Sequence, residues 1–154
     1  MEDIEIIHVT TQEEKEKCHQ VRKEVFVNEQ KLPIEEEIDE HDSSLNCHHF
    51  LALKNTQPIG TVRIYSYDDK YSPSSKIAKI GRLSVLKEYR GKGIGALLIS
   101  KAESFAKSQL GYEKCILHAQ KYKSSWYENR GYKVLNEEIF YEAGIEHVKM
   151  GKDF

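Results

Sequence analysis

The sequence predicts an α+β domain, residues 1–154, built on one mixed and mostly antiparallel sheet with helices on both faces. Three observations predict it. Short apolar runs of strand length recur along the chain, and capped helical patterns interrupt them without a repeating βαβ unit. Two strand-like runs close the chain as a hairpin. No repeat, linker or shift of composition divides the 154 residues, which suffice for one core.

Taken in order, Ile4 to Val9 reads as a strand, with Ile4, Ile6 and His8 on the face opposite Glu5, Ile7 and Val9. Thr11 followed by Glu14 is a capping-box start for a helix running towards Val27, with Cys18, Val21, Val25 and Phe26 at helical spacing. Pro33 opens a short helix through Ile34 to Ile38. Phe50 to Leu53 and Ile59 to Tyr67 are strands joined by the turn Asn55-Thr56-Gln57-Pro58. Asp68 to Ser75 is a polar loop, and Ile77 to Leu86 a long strand. A helix over Ile94 to Leu110 buries Ile94, Leu97, Leu98, Phe105 and Ala106 and ends at Gly111. Cys115 to Ala119 is a strand and Lys123 to Arg130 a short helix ended by Gly131. Tyr132 to Tyr141 and Ile145 to Met150 form the closing hairpin around Glu142-Ala143-Gly144.

Composition narrows the function. Charged residues make up 31% and hydrophobic ones 39%, the balance of a soluble globular protein. Lys plus Arg number 23 against 25 Asp plus Glu, a net charge of -2 that leaves no footprint for nucleic acid or an anionic membrane. No run approaches the roughly 18 apolar residues of a spanning helix. The acidic start Met1-Glu2-Asp3-Ile4-Glu5 resembles no signal or transit peptide, so a cytoplasmic location is expected. Cys18, Cys47 and Cys115 form no CxxC pair and read as reduced, packed thiols. Cys47-His48-His49, with His41 nearby, is the one cluster of metal-binding type. Adjacent strand residues face opposite ways, so His48 and His49 do not share an ion, and no metal is expected.

The informative segment is Ile80-Gly81-Arg82-Leu83-Ser84-Val85-Leu86-Lys87-Glu88-Tyr89-Arg90-Gly91-Lys92-Gly93-Ile94-Gly95, in the order strand, turn, glycine-rich loop, helix. Glycines let the backbone turn tightly and approach a ligand, and the next helix points free N–H groups at the same place. A pyrophosphate is the natural occupant, with Arg90 and Lys92 adding charge. The spacing of Gly91, Gly93 and Gly95 is not the dinucleotide GxGxxG, and no Ser or Thr follows a Gly-Lys pair as a nucleotide P-loop requires. Arg90-x-x-Gly93-x-Gly95, after its strand and turn, does match the signature of the Gcn5-related N-acetyltransferases. The chain resembles that superfamily along most of its length, and within it the ElaA/YjcF-type branch. Further matching segments are Val21 to Gln30, Glu35 to Glu40, Ala119-Gln120, Trp126 to Tyr132 and Ala143 to His147.

The resemblance implies a fold with a splayed pair of central strands and a slot for acetyl-CoA, the acyl donor, with a small-molecule or lysine-type amine as acceptor; a homodimer stays open. It implies that Leu83, Ser84 and Val85 run beside the pantetheine arm and that Arg90, Gly91, Lys92, Gly93, Ile94 and Gly95 hold the pyrophosphate. A strand N–H near Val85 is then the oxyanion donor. Gln120 stands where relatives carry a coenzyme-binding Asn, and Ser124 where they carry a small residue. Tyr127 matches the tyrosine that protonates the departing thiolate; packing is its other reading. For the base, Glu29 and His147 are the candidates on the acceptor side, and ordered water is the third option. His118 reads as a packing residue. The run Glu35 to Asp42 reads as a solvated helix face, or as a lure for a cationic acceptor such as a polyamine, lysine or amino sugar. Two other functions compete with acyl transfer. One is a non-catalytic acyl-CoA-binding regulatory module. The other is acyl-homoserine-lactone synthesis, suggested by the segment Arg22 to Phe26, although the glycine loop fits CoA better than an acyl carrier protein.

Overall fold

The computed structural model describes residues 3–67 and 76–154, so the polar loop expected over Asp68 to Ser75 lies outside the described residues. Seven strands form one mixed sheet: β1 (Ile4–His8), β2 (His48–Lys54), β3 (Gln57–Ser66), β4 (Ile77–Val85), β5 (Lys114–Gln120), β6 (Lys133–Glu142) and β7 (Ile145–Asp153). Their order is β1-β2-β3-β4-β5-β7-β6, antiparallel everywhere except between β4 and β5. The helices are α1 (Gln12–Arg22), α2 (Ile34–Glu37), α3 (Ile94–Ser108) and α4 (Ser124–Glu128). Among the described residues no helix is long and apolar enough to cross a membrane.

Local chemistry explains the element ends. The Thr11 hydroxyl accepts from the Glu14 N–H at 3.1 Å, and Glu14 Oε1 accepts from the Thr11 N–H at 3.2 Å, which closes the expected capping box. The predicted helix towards Val27 changes character at Lys23, where a π-helical stretch, Lys23–Glu29, takes over and ends with Gln30 N–H donating to Val25 C=O. Both hairpins turn on two residues with positive φ, Asn55 and Thr56 in one, Ala143 and Gly144 in the other, the type I′ geometry that suits twisted strands. The first turn is thus tighter than expected, and β3 already begins at Gln57.

The two faces of the sheet differ in kind. Phe50, Val62, Ile64, Ala78, Ile80, Cys115, Leu117, Ala119, Val148 and Met150 alternate onto one face and pack against α3. The α3 stripe is Ile94, Leu98, Ile99, Ala102 and Ala106. Leu97, expected in it, is 41% exposed, because its position falls between the i and i+4 rows that meet the sheet. The other face is mixed: beside buried Leu51, Tyr65 and Ile116 it carries the polar His49, Thr61, Arg63, Lys79, His118 and His147.

The acidic run is a solvated face only in part: Glu35, Glu36 and Glu40 are exposed, whereas Glu37 and Asp42 are buried and Asp39 is half-buried. Arg22, 1% exposed, forks onto Glu37 at 2.6 and 2.9 Å and onto Asp42 at 2.6 and 2.9 Å, and also donates to Glu37 C=O. Arg63 donates to Asp39 at 2.7 and 2.8 Å and to Asp42 at 3.0 Å, while Arg82 reaches the carbonyls of Glu36 and Glu37. Arg22 and Arg63, matched to Glu37, Asp39 and Asp42, and Arg82 on the backbone carbonyls, pin the segment Glu36 to Asp42 onto the sheet, since a buried charge persists only when paired.

Candidate active site

Two features of β4 create the site. The first is its brief partnership with β5: only Ile77 to Lys79 pair with Lys114 to Ile116, after which β5 stays with β7 and the gap beside β4 opens. The second is a bulge. Thr61 pairs with Ser84 and Arg63 with Gly81, so Arg82 and Leu83 oppose Val62 alone, and Arg82 takes a left-handed φ of 53°. Beyond the bulge, Leu86 N–H donates to Ile59 C=O on β3. Backbone groups alternate sides along a strand, so Leu83 and Val85 turn theirs to the side β5 has left.

At the end of that strand lies the glycine loop. Gly91 and Gly93 have φ of 76° and 82°, values that L side chains avoid, and Gly93 is the N-cap of α3 with no capping side chain. The first N–H groups of α3, at Ile94, Gly95 and Ala96, have no intrahelical acceptor, and the bonded series starts with Leu97 N–H to Gly93 C=O. A Cβ on Gly95 would sit 3.4 Å from the Trp126 ring, so this glycine lets α3 and α4 pack closely. Backbone donors, the positive end of a fifteen-residue helix and open space at Gly91 together fit a pyrophosphate.

The gap itself is a cavity of about 380 Å3, walled by β4 from Lys79 to Leu83, by Leu117, His118 and Gln120 of β5, and by Phe26, Tyr127, Glu142 and His147. Tyr127 stands on α4, its ring edge-on to Trp126 and Tyr132. Burial pushes its phenol up to about 12, against the pull of the Arg130 charge, so the hydroxyl keeps its proton at neutral pH. Gln120 exchanges amide contacts with Gln30, at 3.1 Å from its own nitrogen. His118 Nδ1 lies 2.6 Å from Glu142 Oε1. Since an ionised carboxylate only accepts, Nδ1 carries the hydrogen of this contact, which leaves Nε2 for another partner. His147 Nδ1 donates to Ile145 C=O at 2.7 Å and its Nε2 lies 3.8 Å from Glu142 Oε2. Burial alone raises the Glu142 carboxyl, but the His118 hydrogen bond and the charges of His118, His147 and Lys79 hold it below its ordinary value.

Residues 9–154 match the Acetyltransferase (GNAT) domain family. The chain belongs to the GNAT acetyltransferase family. YjcF of Bacillus subtilis (strain 168), named an uncharacterized N-acetyltransferase, is 38% identical over 133 residues, 86% of this chain and 88% of the relative. Protein ElaA of Escherichia coli (strain K12) is 31% identical over 134 residues, 87% of this chain and 84% of ElaA. The crystal structure of Escherichia coli ElaA superposes with a TM-score of 0.82 at 27% identity, covering 99% of both chains. An acyl-CoA N-acyltransferase from Pseudomonas aeruginosa gives 0.81 at 28% identity, over 97% of this chain and 98% of that one.

Against this GNAT frame, the residues singled out in the sequence divide into groups. Leu83, Gln120, Tyr127 and His147 line the cavity. Ser84 is buried and turns its backbone to Thr61 of β3, so it offers the gap nothing, and Val85 packs towards Gly95 and offers backbone more than side chain. Arg90 and Glu29 behave differently from expectation. The Arg90 guanidinium donates to both Glu29 oxygens at 2.6 and 2.7 Å, and its Nε donates to Val85 C=O at 2.8 Å. Lys92 is thus the loop's unengaged cation. Glu29 lies outside the cavity, and the Arg90 hydrogen bond holds its carboxyl below the ordinary value, the opposite of what a base needs. His118, Glu142 and Lys79 were missed. Strand parity could have found His118, which shares a face with Gln120 two residues on; Glu142, read as a turn residue, carries no such signal.

Proposed function

We propose that the chain is an acyl-CoA-dependent N-acyltransferase that moves an acetyl or other short acyl group from CoA to a primary amine. The observation that carries this reading is the opening between β4 and β5, with the glycine loop at its outer end and Tyr127 and His118 on its walls. The N–H groups of Ile94, Gly95 and Ala96, with Lys92, hold the pyrophosphate, and Arg90 fixes the loop to Val85 and Glu29. The backbone edge of Leu83 and the Val85 N–H, on the side β5 has left, accept the pantetheine arm as an added strand would. Gln120 hydrogen-bonds the arm, and the cavity holds the thioester and the amine in one orientation.

Within that arrangement each side chain has one task. His118 Nε2, steadied by Glu142 on Nδ1, takes the proton from the ammonium and so frees the neutral amine to attack the thioester carbonyl. A β4 N–H near Val85 meets the oxyanion. The Tyr127 hydroxyl, which burial keeps protonated, donates to the departing thiolate. The proton lost by the amine and the one gained by sulfur therefore use different groups.

The test is release of free thiol from acetyl-CoA across a panel of amines, run beside thermal unfolding. Acetyl-CoA raises Tm, pantetheine without the pyrophosphate does much less, and thiol appears only with amine. Binding without amine-dependent release would leave a regulatory acyl-CoA-binding module instead.

A further inference from the structure

The charges lining the cavity do not balance. Arg63 is matched by Asp39 and Asp42, and Glu37 by Arg22. Glu142 is taken by His118 and His147. Glu36 is exposed at the rim. Lys79 and Lys123 are left: no carboxylate among the described residues lies within 4.0 Å of either, and Lys79, the one on β4, faces the cavity half-buried. Burial, then the charges of Arg63 and Arg82, push its pKa down even though Glu142 and Asp39 pull it up. Arg82, beside it, donates to the carbonyls of Glu36 and Glu37, and its carboxylate contact is a 3.4 Å one to an Asp39 that Arg63 already grips.

Lys79 is too far from the glycine loop to serve the pyrophosphate. It precedes Val85 by six residues, roughly 20 Å of strand at 3.3 Å per residue. It is close to His118 instead: Lys79 lies opposite Ile116, and His118 follows on the same face of β5, about 7 Å further along the sheet. The cavity thus has a proton-accepting pole at His118–Glu142 and an unmatched cationic pole at Lys79 and Arg82. An anion at the second pole relieves a buried, repelled ammonium, whereas a polycation there meets two like charges.

We infer that the acceptor carries a carboxylate beside its amine, as a free α-amino acid does, and that Lys79 and Arg82 hold that carboxylate while His118 faces the amine. The inference rests on the acyl-transfer reading and names its acceptor class. Lys79 and Arg82 then determine specificity and take no part in the bond-making step.

The experiment compares L-phenylalanine, L-methionine and glycine with their amides, and with spermidine, by amine-dependent thiol release from acetyl-CoA. The acids should exceed their amides at least ten-fold in kcat/KM. Lys79→Met keeps an unbranched side chain, and it should raise KM for the acids about ten-fold while leaving the amides and KM for acetyl-CoA unchanged. Arg82→Asn tolerates the left-handed backbone and should act in the same direction. Amides or spermidine turned over as well as the acids would overturn the inference alone, as would Lys79→Met slowing acids and amides alike. No thiol release with any amine would overturn the acyl-transfer reading and this inference with it.

Discussion

Arg22 gives the sharpest test of how the wall of the cavity is held. In Arg22→Met the stem volume stays but the guanidinium goes. Asp42 keeps Arg63 at 3.0 Å, whereas Glu37, 6% exposed, loses both of its side-chain hydrogen bonds. Breaking a buried ion pair from one side costs about 3–5 kcal/mol, because the remaining carboxylate stays desolvated and unpaired. In a chain of this size each kcal/mol moves Tm by about 2–4 °C, so a fall of roughly 6–20 °C is expected. Thermal and urea unfolding at pH 7 measure it. The double variant Arg22→Met/Glu37→Gln removes the stranded charge as well, and it should regain part of the loss, about 1–2 kcal/mol, as coupled neighbours do. An Arg22→Met protein that melts within 2 °C of the parent, about one kcal/mol at most, would refute the reasoning. A double variant less stable than Arg22→Met would refute the stranded-charge mechanism specifically.

Three further outcomes follow from the site and its surroundings. Tyr127→Phe keeps the ring packing and removes the proton, so kcat should fall on the order of a hundred-fold with CoA affinity unchanged; an unaltered kcat would assign Tyr127 to packing. Gly93→Val forces a β-branched residue to φ 82° at the N-cap of α3, and calorimetry should find CoA binding weakened at least ten-fold in a variant that still folds. His49 is held neutral by burial and by the Arg22 charge, with its pKa lowered to about 4. The unfolded chain binds that proton first, so stability falls as pH drops from about 6.5 towards 4, by about 2 kcal/mol between pH 7.5 and 5. His8, His19 and His48 are lowered too and act in the same direction, so the difference between parent and His49→Gln isolates the effect.

The elements were legible in the sequence where local chemistry decides them. Thr11 with Glu14, the unbroken apolar run Phe50 to Leu53 and the glycines at 91, 93 and 95 all announce their structures within a few residues. What could not be read depends on partners distant in the chain. Glu37, Asp39 and Asp42 resemble any acidic surface run until Arg22, Arg63 and Arg82 arrive from α1, β3 and β4. The Arg90–Glu29 pair spans sixty-one residues, and it turns a loop cation and a candidate base into a clamp. His118 was misread for a related reason: a histidine in a core strand is a packing residue on one face and a cavity residue on the other, and only the sheet order decides which face is apolar.

The bulge at Arg82 is where fold and site meet. Before it, Ile80 points into the α3 core and Lys79 and Gly81 face α1. In a regular strand the core would next receive residues 82 and 84. The extra residue shifts the alternation by one, so Leu83 and Val85 face α3 while Ser84 turns to Thr61. The same shift sends the backbone edge of Leu83 and Val85 towards the vacated side. A bulge also bends its strand, and this one lies just beyond Lys79, the last residue that pairs with β5. One inserted residue therefore parts the strands, exposes a hydrogen-bonding edge and frees the Arg82 side chain to reach the Glu36 and Glu37 carbonyls. Those carbonyls belong to the segment that Arg22 and Arg63 pin in place. The shape of the cavity and the charge network that walls it are consequently two results of a single backbone irregularity meeting an acidic loop.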